Sequence, residues 1–177
     1  MNTIVKAEEK DALLLAEIAA QTFIESHGNS AKKEDIDSYV AAKYTGDVLK
    51  EELNDENNIY HCIYHNNQIA GFSKITLNSP YTNSKSNNLA KIERIYLLQE
   101  FYNMNIGSAL FEFNIDIIKK NNQHGVWLYV WKENKRALRF YEKKGFVIIG
   151  SHDFKISETH SNPNWQMLLE FRPNNNP

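Results

Sequence analysis

Hydrophobic positions recur along this chain with two different periods, and the change from one to the other marks its elements. Leu13, Leu14, Ile18 and Phe23 fall at helical spacing, which predicts a helix with one buried face over Asp11 to Phe23. Gly28-Asn29-Ser30 interrupts it, and Lys33 to Tyr44 resumes as a second amphipathic helix carrying Ile36, Tyr39, Val40 and Tyr44. Gly46 to Leu53 adds a short helical piece, and Thr3 to Ala7 a short first strand. From Ile59 the period drops to two. Ile59 to Tyr64 reads as a strand, His65-Asn66-Asn67-Gln68 as a turn, and Ile69 to Leu77 as the hairpin partner.

Asn78 to Asn88 has Pro80 and several Asn and Ser but no packing period, so it reads as a mobile loop within one domain. Ala90 to Leu98 is a strand, and Ile106 to Lys120 a helix with Ile106, Leu110, Phe113 and Ile117 on one face. Gly125 to Trp131 is a buried strand. Asn134 to Lys144 is a helix with Gly145 as its stop. Phe146 to Ile156 and Asn164 to Phe171 form an antiparallel pair, and the Asn-rich tail after Pro173 is expected to fray. This order predicts an α/β (α+β) protein, a mixed sheet with helices on both faces, as a single domain over residues 1–177.

Composition narrows the function classes. A chain of 177 residues suits one domain with a real core. A formal charge of −2 argues against nucleic-acid binding by bulk electrostatics. Cys62 is the only cysteine, which excludes an internal disulfide and a cysteine metal cluster. No run of about 18 apolar residues exists, and MNTIVKAEEK lacks a signal-peptide core, so a cytoplasmic protein with no membrane partner is expected.

The chemistry concentrates between Ile92 and Phe146. The turn from Tyr102 to Gly107 joins a strand to a helix, which aims unpaired backbone N–H groups at one point and favours an anion such as a phosphate. An ordinary turn whose glycine permits close packing would look the same. Tyr141, on the later helix, is a candidate general acid, because a phenol stays protonated at neutral pH. Packing on the sheet beside Phe140 is the bland alternative. Strand alternation places Glu93 with Ile95 and Leu97, and Arg94 on the opposite face. A carboxylate there is a base or half of a buried ion pair. Asn134 is a helix cap that can also meet a cofactor. Cys62 reads as core. His61 and His65 flank a strand end, and His152 and His160 lack a carboxylate-rich partner set, so no metal is expected.

These stretches, IERIYLLQEFYNMNIGSALFEF, WLYVWKENKRALRFYEKKGF and TFIESHGNSAKKEDIDSYVAAKY, resemble the GNAT family of N-acetyltransferases over nearly the whole chain, and within it the PaiA-type polyamine acetyltransferases. The resemblance implies a mostly antiparallel sheet of six to seven strands and acetyl-CoA as co-substrate. The family's pyrophosphate turn reads Arg/Gln-x-x-Gly-x-Gly/Ala. Here Tyr102 stands at its first position and Asn105 at its first glycine, with Gly107 retained. By the same resemblance, Ile95, Tyr96 and Leu97 offer backbone groups to the acetyl and pantetheine arm. Tyr102, Asn103, Met104, Asn105, Ile106, Gly107 and Ser108 hold the pyrophosphate, and Asn134 touches the arm. Tyr141 protonates the sulfur, and Glu93 takes the amine proton, usually through water. The implied acceptor is a small primary amine, a polyamine before others. Glu34, Asp35, Asp37, Glu51 and Glu52 on the early helices offer it a negative surround. Protein N-terminal or lysine acetylation and an acyl-CoA sensor without turnover are the alternatives, and dimers are common in the family.

Overall fold

The structure is a computed structural model, and it describes residues 1–171; the tail after Pro173 lies outside them. In chain order it contains strand β1 (Asn2–Lys6), helices α1 (Ala12–His27), α2 (Lys33–Lys43) and α3 (Gly46–Asn54), and strands β2 (Asn58–His65), β3 (Gln68–Thr76) and β4 (Leu89–Leu97). Then come α4 (Ile106–Lys120), β5 (Gly125–Trp131), α5 (Lys135–Lys143), β6 (Val147–Lys155) and β7 (Ser161–Glu170). The seven strands form one sheet in the order β1-β2-β3-β4-β5-β7-β6. Every pairing is antiparallel except β4 with β5. The last two strands are a hairpin, as their pattern predicts, but β7 inserts between β5 and β6 rather than β6 following β5 directly.

Both faces of the sheet are covered. Residues of α1, α2 and α3, among them Leu15, Phe23, Ile36 and Leu49, pack with Tyr60, Cys62 and Phe72 in one core. On the other face Phe111, Ile115 and Ile118 of α4 and Leu138 and Tyr141 of α5 pack with Ile92, Val126, Leu128 and Val130. Hence Trp127, Tyr129 and Trp131, which alternate with those β5 residues, point to the α1 side. The Trp131 ring lies 5.6 Å from that of His27 on α1. Cys62 is 3% exposed, and burial lifts its thiol to about 12, so it behaves as a core residue.

The segment read as a free loop is tied down where it leaves β3. Trp127 Nε1 donates to the Ser79 carbonyl at 2.6 Å, the Asn78 amide donates to Gln123 Oε1 at 3.0 Å, and Tyr81 packs edge-on against Trp127. Among the described residues every non-glycine residue with positive φ is an asparagine: Asn66, Asn67, Asn78, Asn83, Asn103, Asn105 and Asn122. No described helix is long and apolar enough to cross a membrane.

Candidate active site

The site exists because β4 and β5 pair for only three positions, Leu89 to Lys91 against Gly125 to Trp127. Beyond them β5 keeps pairing with β7 while β4 keeps pairing with β3 as far as Leu97, so the two strands part and a gap opens through the sheet. A β-bulge shapes its edge. Ile75 faces Ile92 and Lys74 faces Arg94, so Glu93 has no residue opposite it. The bulge resets the alternation, which corrects the expectation that Glu93 shares a face with Ile95 and Leu97. Glu93 pairs with Lys91 at 2.8 Å, and the Lys91 ammonium lies over the rings of Trp127 and Tyr129 on the α1 side. Ile95 and Leu97 instead border the cavity on the α4–α5 side.

The first cavity, about 200 Å³, runs through the gap. Its walls are largely aromatic on the α1 side: Phe23, His27, Tyr39, Tyr96, Tyr129, Trp131 and Phe154. His27 stacks on Phe23 at 4.8 Å, accepts or donates one hydrogen bond with Ser26 at 2.7 Å, and is held by burial near a pKa of about 4, so it is neutral at pH 7. Burial likewise pushes Tyr96 up to about 12. Glu93 is the one carboxylate among the lining residues. The acidic helix positions do not surround this space. Glu34 and Glu51 are exposed and Asp35 half-buried, none of them lining the cavity, Asp37 pairs with Lys33, and Glu52 is taken by Lys74 at 2.6 Å, by Arg94 at 3.1 Å and by the Tyr60 hydroxyl.

The second cavity, about 510 Å³, lies between the start of α4 and the flank of α5. Asn103, Asn105, Ile106, Gly107 and Ser108 line one wall. Asn105 sits at the cap of α4 with φ 60 and ψ 7, the left-handed conformation that a glycine would take there. A Cβ on Gly107 would come no closer than 3.4 Å, to Leu97 Cδ1, so packing alone does not demand the glycine. What it leaves bare is backbone at the cavity wall, beside the unpaired N–H groups of the first helical turn. Asn105→Gly is therefore expected to be tolerated, whereas Asn105→Val should cost about 1–2 kcal/mol, read from urea midpoints.

The facing wall was not foreseen. Arg136, Arg139 and Lys143 of α5 fall at i, i+3 and i+7, hence on one helical face, and all three line this cavity, which has no acidic lining residue. The signal is present in KENKRALRFYEKKGF as a basic period, on the same helix as Tyr141. Arg136 stacks its guanidinium over Tyr102, 3.4 Å from the ring centroid. A guanidinium absent from position 102 thus arrives from across the cleft. Tyr102, Asn103 and Met104 precede it on the rim, with Met104 exposed and outside both cavities. Arg136→Ala is expected to raise KM for acetyl-CoA about tenfold, the loss of one charge-assisted contact, with little change in kcat. An unchanged KM would show that the stacked pair only braces the rim.

Asn134 caps α5, its Oδ1 accepting from the Ala137 amide at 3.1 Å, and it lines the first cavity at the same time. Ile95, Leu97, Arg136, Ala137 and Tyr141 border both cavities. Tyr141 is 9% exposed, and burial, seconded by Tyr96, raises its pKa well above that of a free phenol. The structure therefore brings together Glu93, Ile95, Tyr96, Leu97, Tyr102, Asn134 and Tyr141 around the gap, and Asn103, Asn105, Ile106, Gly107 and Ser108 at its phosphate-suited end. No group of three potential metal ligands occurs among the described residues.

A gapped sheet with a helix start on one side of the gap and a buried tyrosine on the other suits a phosphate-bearing ligand held beside a phenol, and comparison with known proteins supplies the class. Residues 16–146 match the acetyltransferase (GNAT) family, and the chain belongs to it. It is an acetyl-CoA-dependent N-acetyltransferase. It is 26% identical over 155 residues to an uncharacterised N-acetyltransferase of Lactobacillus delbrueckii subsp. lactis, covering 88% of this chain and 90% of that one. A spermidine N(1)-acetyltransferase of Thermoplasma acidophilum is 25% identical over 149 residues, covering 82% and 88%. In fold it is similar to the PaiA N-acetyltransferase of Thermoplasma acidophilum solved in complex with coenzyme A, with TM-score 0.76 at 22% identity over 97% of this chain and 99% of that one.

Proposed function

We propose that the protein transfers the acetyl group of acetyl-CoA to a small primary amine, with polyamines the first members of that class to test. The observation that carries this reading is that one passage through the sheet joins a basic, phosphate-suited cavity to an aromatic one, with Tyr141 at their junction. Aromatic walls attract an ammonium or amine through their ring faces. Support for polyamines comes from the likeness to the spermidine acetyltransferase.

In this reading an amine of pKa about 10.4 enters protonated and loses one proton to Glu93, directly or through water. Its nitrogen then attacks the thioester carbonyl. The C–N bond forms, the C–S bond breaks, and the second amine proton leaves with the acid–base groups. A main-chain N–H near Leu97 supports the oxyanion, and Tyr141 gives its proton to the departing thiolate. The balance is one amide, one free thiol and one released proton. Arg136, Arg139 and Lys143 hold the phosphates that anchor the donor.

The test is acetyl-CoA-dependent thiol release with spermidine, spermine, putrescine, lysine, simple arylalkylamines and a peptide mixture. Release confined to small amines supports the reading. Release with peptides alone moves the acceptor to proteins. Binding of acetyl-CoA without release from any acceptor makes the protein a sensor.

A further inference from the structure

Among the described residues only two buried side-chain polar atoms lack a hydrogen-bond partner, Nδ1 of His61 and Oδ1 of Asn164. His61 packs edge-on against Phe113, 4.9 Å away, and lines neither the aromatic nor the basic cavity. Asn164 is different. It is 8% exposed, lines the aromatic cavity, and sits on β7 directly across from Trp131 on β5 and His152 on β6. Cross-strand neighbours share a face, so Asn164 stands on the α1 side beside the rings of that cavity.

The other asparagines of this cavity are already engaged. Asn134 caps α5. Asn162 donates to Ser30 Oγ at 2.8 Å and meets His160 Nε2 at 3.0 Å. A buried carbonyl oxygen left without a donor is unfavourable, and native proteins keep few of them. One that borders a ligand cavity is completed when a ligand brings the donor. The χ2 torsion of asparagine is broad, so a rotation of the amide turns this buried oxygen toward the cavity without moving β7.

We propose that Asn164 positions the acceptor, its Oδ1 accepting a hydrogen bond from an N–H of the amine substrate. This deepens the acetyl-transfer reading and rests on it. The chemistry suits a nucleophile that must be uncharged to react. A carboxylate in this place would hold the amine as ammonium, whereas an amide oxygen binds the free base without favouring the charged form as strongly. Glu93, the only carboxylate of the cavity, is drawn to Lys91 and is kept for the proton.

The experiment compares the wild type with Asn164→Leu, which keeps the volume and removes the amide, and Asn164→Asp, which keeps an oxygen. Using the best amine of the panel, Asn164→Leu should raise KM for the amine about tenfold and leave KM for acetyl-CoA unchanged. Its melting temperature should hold or rise, because an unpaired buried polar atom has gone. Asn164→Asp should bring KM for the amine back toward the wild-type value but lower kcat, because the carboxylate holds the amine as ammonium. A melting temperature that falls while both KM values stay as in the wild type would give Asn164 a structural role and overturn the proposal. A wild type that binds acetyl-CoA but acetylates no amine would overturn the acetyl-transfer reading itself, and this inference with it.

Discussion

Tyr141→Phe is expected to lower kcat by about 10²–10⁴-fold, the span of a general-acid contribution, while acetyl-CoA still binds. The substitution removes one oxygen and little else. The Tyr141 ring packs against Phe140 at 5.3 Å, Phe146 at 5.4 Å and Phe111 at 6.4 Å, and a phenylalanine keeps those contacts. Burial holds the phenol protonated throughout the range in which the enzyme would work, so the wild type should show no loss of activity from Tyr141 ionisation below the ordinary phenol pKa. Steady-state kinetics with thiol detection, alongside calorimetric titration with CoA, separates the two effects. Full activity in Tyr141→Phe would assign the thiolate's proton to water.

Glu52 should dominate the acid side of the stability profile. Burial alone would raise its pKa, but Arg94, then Lys74 and Tyr60, more than offset that and bring it from 4.5 down to about 2. Because the folded value lies below the unfolded one, the stabilisation is complete above pH 4.5 and fades as pH falls toward 2. The shift corresponds to about 3 kcal/mol, which solvent at the edge of the cluster reduces to about 2. Glu52→Gln should lower the urea-derived stability by about that amount at pH 7, since Lys74 and Arg94 then share no counter-charge. Near pH 2.5 wild type and variant should differ far less. A constant difference across that window would mean that the loss is steric. Arg94 also lies along the aromatic cavity, so the same substitution should disturb the amine more than acetyl-CoA.

How far the sequence could be read depends on whether a property is periodic and local. The helices around Leu15, Leu110 and Leu138 and the hairpin of β2 and β3 follow from spacing that any short window shows. The cap at Asn134 and the left-handed site at Asn105 also belong to single residues and their neighbours. The bulge at Glu93 does not. It depends on how β4 meets β3 across Lys74 and Ile75, and nothing within IERIYL reports a register shift. The capture of Glu52 joins residues 52 and 94, which only the folded chain brings together. The orphaned oxygen of Asn164 is further still from view, because a missing partner is a property of everything around it. The basic face of α5 lies between these cases: its spacing was legible, but its target, the rim at Tyr102, was set by tertiary packing.

The seven left-handed asparagines have a consequence outside the native structure. A glycine at each place would fit the same backbone but leave the unfolded chain freer, and that freedom must be given up on folding. An asparagine accepts some local backbone strain and narrows the denatured ensemble in return. The turns that connect this sheet thus contribute to stability through conformations the protein never occupies when folded, in addition to the native hydrogen bonds that Asn66 accepts from the N-terminal ammonium and Asn78 from Gln123.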